Sequence, residues 1–204
     1  MKSAEELAAI LPGLPPTAIE RTFARRVLLT SLLGLKTPLG TAGETLAISY
    51  PRFLWTSRSE YRYNPPGIEA LYLGEGESIA GAETKQNPGL NGFDVEPADP
   101  GVIFHVEVQA SAILDVTKPD IQAELGTDEA ELVAPWRLKR PAAPTQLLGQ
   151  AVYNCGLFEG IRYHSAPMAK VGAEGYCVVL FRAKRLSTSI VRLFAKSGIW
   201  EEQW

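Results

Sequence analysis

Arg62-Tyr63-Asn64-Pro65-Pro66-Gly67-Ile68-Glu69-Ala70-Leu71-Tyr72-Leu73, followed by Glu83, joins an arginine, a rigid turn, a short apolar strand and a carboxylate in one continuous run. Proline fixes φ and glycine admits positive φ, so Asn64 to Gly67 is strong turn chemistry. Ala70 to Leu73 is apolar and aromatic enough for a buried strand. Ser78 to Gln86 then reads as a helix with Ile79, Ala82 and Glu83 near one face, ended by Gln86-Asn87-Pro88-Gly89. Turn, strand and helix in that order carry Arg62 and Glu83 toward a common place, which is the layout of a binding site.

A chain of 204 residues is long enough to bury a full core without staples. The expectation is a single domain over residues 1–204, with 1–17 as an N-terminal helical appendage. An apolar share of 46% with 21% charged residues places the chain among globular rather than disordered proteins. The formal net charge of −3 lacks the basic footprint that nucleic-acid binding requires. No apolar run approaches the roughly 20 residues that span a bilayer. Met1-Lys2-Ser3-Ala4-Glu5-Glu6 carries acids where a signal peptide wants basic and apolar residues, so a cytoplasmic address is expected. Cys155 and Cys177 lie in apolar settings outside any CxxC and read as buried structural thiols rather than as a disulfide. His105 and His164 are isolated, and no spaced Cys/His/Asp set predicts a metal site.

Along the chain, Ser3-Ala4-Glu5-Glu6 and Thr17-Ala18-Ile19-Glu20 both match the capping box, in which hydroxyl and carboxylate satisfy the first amides of a helix. They predict helices over Glu5 to Leu11 and over Ala18 to about Leu33, the second with Ile19, Phe23 and Val27 on one face. The alternative for Arg26 to Leu33 is an extended segment. Residues 36–59 suit loops with short strands at Ile48-Ser49-Tyr50 and Phe53-Leu54-Trp55. Asn87 to Gly101 reads as a polar loop. Val102, Phe104, Val106 and Val108 alternate as the apolar face of a strand, and Ile113-Leu114-Asp115-Val116 reads as another. Lys118 to Trp136 looks helical, and Thr145 to Cys155 is a helix closed by Gly156. Gly160 to His164, Tyr176 to Phe181 and Ser189 to Ala195 supply three further strands. The class is α+β with a mixed or mostly antiparallel sheet and flanking helices.

Gly74-Glu75-Gly76 lacks the third glycine of a dinucleotide fingerprint, and its acids would repel a pyrophosphate. No GxSxG or P-loop is present. Taken alone, Arg62 and Glu83 would be an ordinary surface pair, Tyr72 a core residue and Ser165 a turn hydroxyl.

Ordered together, however, Arg62 to Gly67, Ala70 to Leu73, Glu83 and Gly160-Ile161-Arg162-Tyr163-His164-Ser165 resemble the RES domain, named for its Arg, Glu and Ser. The likeness runs from about Phe23 to Phe181 and takes in Thr145-Gln146, the Ile113 to Val116 strand and Val178-Val179-Leu180-Phe181. The resemblance implies a compact α+β fold similar to ADP-ribosyltransferase toxins. It implies a toxin that consumes NAD⁺ as substrate by cleaving the nicotinamide–ribose bond, with an Xre-type antitoxin as partner. Carried over residue by residue, Arg62, Glu83 and Ser165 match the family's arginine, acid and late serine. An earlier arginine matches Arg26, or else Arg25. Glu83 would then oppose the positive charge that builds on the ribose, and Arg62 with Arg26 would clamp the pyrophosphate. Tyr63 or Tyr72 would stack on nicotinamide, and Ser165 would orient the ribose or amide. Two departures stand out: Glu60-Tyr61 precede Arg62 where glycines are often found, and Pro167 falls where an arginine often follows the serine. The rival expectations are ADP-ribosyl transfer to a protein and an inactive RES-like binding module.

Overall fold

Two long antiparallel strands carry the architecture. The computed structural model describes residues 1–28, 54, 56, 58–85, 100–138 and 142–194. Strand β1 (Thr17–Leu28) runs against the later strand Gly101–Asp115, from Thr17 opposite Ile113 to Leu28 opposite Gly101. This corrects the helix expected from Ala18 onward. A spacing of four joins Ile19, Phe23 and Val27 on a helix face, but four is also an even number and joins them on a strand face. With a 15-residue partner strand available, the long-range pairing overrides the local signal. Thr17 accordingly begins the strand and caps no helix. The expected strands at Ile48 to Tyr50, the loop from Asn87 and the end of the Ala18 to Leu33 segment lie outside the described residues.

Strand β2 (Ala70–Gly74) follows the turn, and α2 (Glu77–Lys85) follows β2, close to the expected bounds. The segments at Val102 and Ile113 form one strand, β3 (Gly101–Asp115). Strands β4 (Gly160–His164), β5 (Tyr176–Phe181) and β6 (Ile190–Phe194) complete the sheet. Its order is β1-β2-β5-β4-β3-β6, and β1 also pairs with β3, so five of the strands close on themselves. Among the described strands only β3 and β4 pair in parallel. The sheet is mixed, and the α+β class is as expected.

Alternation along the strands divides the apolar residues between two cores. Phe23, Leu71, Leu73, Val106, Val178 and Leu180 share one. Leu148, Ile161, Tyr163, Val179 and Phe181 share the other, against the helices. Helix α1 (Ala4–Ile10) has the predicted capping box, with Ser3 Oγ accepting from Glu6 N–H and Glu6 Oε2 accepting from Ser3 N–H. Its Leu7 and the following Leu11 are wholly buried in the helix-side core. The first residues therefore supply core rather than hanging beside it.

The expected helical excursion contains α3 (Pro119–Glu124) and α4 (Glu129–Val133). Helix α5 (Pro144–Cys155) packs on α1 and ends at Gly156. A short α6 (Ala166–Lys170) follows β4. Cys155 and Cys177 are both free thiols, Cys177 buried and Cys155 half-buried. Among the described residues no helix is long and apolar enough to cross a membrane.

Candidate functional site

The site is built on the Asn-Pro-Pro-Gly turn. Asn64 is wholly buried and its amide nitrogen donates to Ser59 O at 2.8 Å and Ile68 O at 3.1 Å. Its Oδ1 accepts from the Tyr72 hydroxyl at 2.8 Å, which in turn accepts from Tyr63 N–H at 2.9 Å. The turn is thus tied to β2 by a closed chain of hydrogen bonds. Helix α5 presses on it through Gly149, where any Cβ would run into the Tyr63 carbonyl. Gln146 adds a bond from its amide to Tyr61 O at 3.2 Å. A platform held in this way keeps neighbouring side chains in fixed positions.

Arg62 is buried, and its Nη1 donates to Leu132 O at 2.8 Å and Ala134 O at 2.9 Å. It pins the end of α4 to the turn. The ordinary surface pair with Glu83 is not what forms. Arg62 acts on Glu83 through space, and its charge favours the ionised carboxylate.

Glu83, toward the end of α2, is only partly exposed. Its Oε1 accepts from Ser165 Oγ at 2.8 Å and from Cys177 Sγ at 3.6 Å, and the Ala166 backbone N–H also donates to the carboxylate. Burial pushes its pKa above the ordinary carboxylate value, with the Ser165 bond and Arg62 opposing. Ser165 is fully buried, placed between β4 and α6, and its own N–H bonds Gly175 O at 2.8 Å.

Two tyrosines near Glu83 feel its charge. The Tyr63 and Tyr163 rings lie 4.6 Å apart, and burial raises the pKa of both hydroxyls. Tyr63 is wholly enclosed and its hydroxyl is buried without a hydrogen-bond partner. Its ring offers no face for stacking on nicotinamide, which corrects that expectation. Tyr72 is half-buried and has Tyr61 beside it at 5.6 Å between ring centres.

Arg26 lies on β1, the strand on which α2 packs. Alternation puts it on the side of β1 that carries Ala24, while Arg25 shares the side of Phe23. The Arg26 guanidinium lies over Gly101, where a Cβ would collide with it, and its Nη1 is buried without a hydrogen-bond partner. A guanidinium with an unused donor suits an anionic ligand.

The fold therefore brings Arg62, Tyr63, Tyr72, Glu83 and Ser165 into one cluster, with Arg26 on the adjoining strand. Sequence reading missed Cys177 and Tyr163 as neighbours of Glu83. The signal was their alternation: Tyr163 sits opposite Cys177 across β4 and β5, and both face the helices. The hydroxyl, the thiol and the backbone amide partly offset the burial that disfavours the charged carboxylate.

The RES domain model matches residues 45–198, and the chain belongs to that family. The fold is similar to that of a chain in the crystal structure of the M. tuberculosis MbcT–MbcA toxin–antitoxin complex. That likeness has a TM-score of 0.59 at 16% identity, covering 98% of this chain and 92% of that one. A search of curated proteins found no match.

Proposed function

We propose that this chain is the toxin of a toxin–antitoxin pair and that it lowers cellular NAD⁺ by cleaving the nicotinamide–ribose bond. Membership of the RES family and the likeness to a chain from a toxin–antitoxin complex support the toxin reading. The observation that carries the chemistry is Glu83, a desolvated carboxylate with a hydroxyl and a thiol on one oxygen. As the C–N bond breaks, its electron pair leaves with nicotinamide and positive charge develops on the ribose. An ionised Glu83 opposes that charge most strongly where water is excluded. Water or phosphate then supplies the oxygen that bonds the anomeric carbon.

Arg26 offers its unused donor to the pyrophosphate, and the half-buried Tyr72 stacks on nicotinamide. Arg62 serves from beneath: it fixes α4 and lends its charge to the site without leaving its two carbonyl partners. Ser165 orients Glu83. Glu60, the acid preceding Tyr61, is exposed, and Pro167 lies in the first turn of α6, where proline is well tolerated. Neither departure alters the bonds that hold Glu83, which favours an active domain over an inactive binding module. The antitoxin, by this reading of Xre type, blocks the site until it is removed.

The test is to induce wild type and Glu83→Gln side by side in a heterologous bacterium and measure intracellular NAD⁺. A collapse with wild type alone is expected. Equal NAD⁺ loss in both, with both proteins folded, contradicts the role of Glu83.

A further inference from the structure

We infer that the Cys177 thiol is a second positioning donor for Glu83, acting with Ser165 to fix the carboxylate from two sides. The inference rests on the reading of Glu83 as the carboxylate that faces the reacting ribose.

Sγ lies 3.6 Å from Glu83 Oε1, the same oxygen that accepts from Ser165 Oγ at 2.8 Å. The two donors come from different elements. Ser165 stands where β4 passes into α6, and Cys177 stands within β5, opposite both Gly74 of β2 and Tyr163 of β4. Ser165 and the Ala166 backbone N–H also bond the carboxylate, and the terminal torsion of a glutamate is broad and soft. Two donors converging on one oxygen restrict rotation about it.

The thiol is suited to donate and unsuited to attack. Cys177 is 1% exposed, and burial, together with the charge of Glu83, raises its pKa well above the ordinary thiol value. It stays protonated through the neutral range, and a thiol is a donor of hydrogen bonds while a thiolate is the nucleophile. The other groups that act on Glu83 are the Arg62 charge and the Ala166 backbone N–H, while the Tyr163 hydroxyl is hydrogen-bonded to the thiol itself. Arg62 is engaged with Leu132 and Ala134, so it cannot take over the bond that Cys177 makes. An ordinary core residue at 177 would satisfy packing equally well and leave Oε1 with one side-chain donor fewer.

Three variants separate donor from filler. Cys177→Ser keeps a donor of similar size, Cys177→Val keeps the volume without a donor, and Cys177→Ala keeps neither. For each, kcat and KM for NAD⁺ are measured, and the Glu83 carboxyl is titrated by carbon-13 NMR in protein labelled at glutamate. Ser should retain kcat within about twofold. Val and Ala should each lower kcat about fivefold with KM unchanged, in keeping with loss of one hydrogen bond to a charged group. In Val and Ala the Glu83 titration should move to higher pH. Wild-type kcat and an unmoved titration in Cys177→Val would overturn the inference, as would a Cys177→Ser protein no better than Cys177→Val. If the wild type cleaves no NAD⁺, the proposed function fails on its own, and the Glu83 titration in the same three variants still decides whether Cys177 holds the carboxylate.

Discussion

Glu75 and Glu83 stand on the same short segment of chain and are treated in opposite ways. Glu75, just after β2, accepts from Arg162 Nε at 2.6 Å and is also bonded by Arg21. The same Arg162 reaches Asp115 at 3.3 Å and lies over the Tyr176 ring at 4.3 Å. Glu159, buried at 2% exposure, is satisfied by the backbone N–H groups of Ser111, Ala112 and Leu186. Where a carboxylate holds the fold together, the chain gives it a counter-charge or several amides, as burial of charge demands. Glu83 receives a hydroxyl, a thiol and a backbone amide, with its nearest guanidinium committed elsewhere. That is a poor arrangement for stability and a useful one for meeting a cation, which is the pattern expected of functional sites.

The contrast breaks most visibly at Arg162. Arg162→Met removes the shared guanidinium from Glu75 and Asp115, whose side chains are 8% and 6% exposed, and leaves Glu75 to Arg21 and Asp115 to Thr117. It should cost about 3 kcal/mol, as breaking a buried pair does, and lower Tm by about 9 °C in a chain of this size. The kcat of the folded protein should not change, because Arg162 makes no bond to the Glu83 cluster. A large loss of kcat at unchanged Tm would dissolve the distinction between the two regions.

A smaller effect is expected at Gly101, where valine would displace the Arg26 guanidinium. KM for NAD⁺ should rise about tenfold with kcat nearly constant, the size of one charge-assisted contact. An unchanged KM would remove Arg26 from the binding role.

The smallest effect concerns Glu83 itself. Its folded pKa is raised, so the native state holds a proton that the unfolded state has lost between the ordinary glutamate value and the raised one. Wild-type stability should therefore fall as pH rises through that window, whereas Glu83→Gln should show no such fall. Thermal melts should find the two proteins equal in Tm below the window and the Gln variant higher above it. A lower Tm for Glu83→Gln at neutral pH would mean that the carboxylate is structural after all.

The parts of this molecule that were legible in sequence are those decided locally. β4 and β5 were bounded by their apolar runs, α5 by Gly156, and the Asn64 to Gly67 turn by its own residues. β1 was misread because Ile19, Phe23 and Val27 satisfy both periods, and only pairing with β3, far along the chain, decides between them. The candidates Arg62, Glu83 and Ser165 came from the resemblance to the RES domain, and the fold brings them together. Their relations were not legible, since Ser165 and Cys177 reach Glu83 across about 80 to 95 residues of chain. The burial of Glu83 was hidden as well, because α2 is rich in polar residues and the groups against the carboxylate, Ser165, Ala166 and Cys177, come from far along the chain. Arg62 was read as a clamp facing ligand, but backbone carbonyls that no side-chain motif announces draw it inward.

The most direct measurement is release of nicotinamide from NAD⁺ by the purified wild-type protein beside Glu83→Gln, with and without phosphate, the products being separated by chromatography. The proposed chemistry predicts nicotinamide and an ADP-ribose product from the wild type and a rate at least about 100-fold lower in the variant, the scale of losing one dominant electrostatic group. Equal rates from two folded proteins, or NAD⁺ left intact by the wild type, would contradict it.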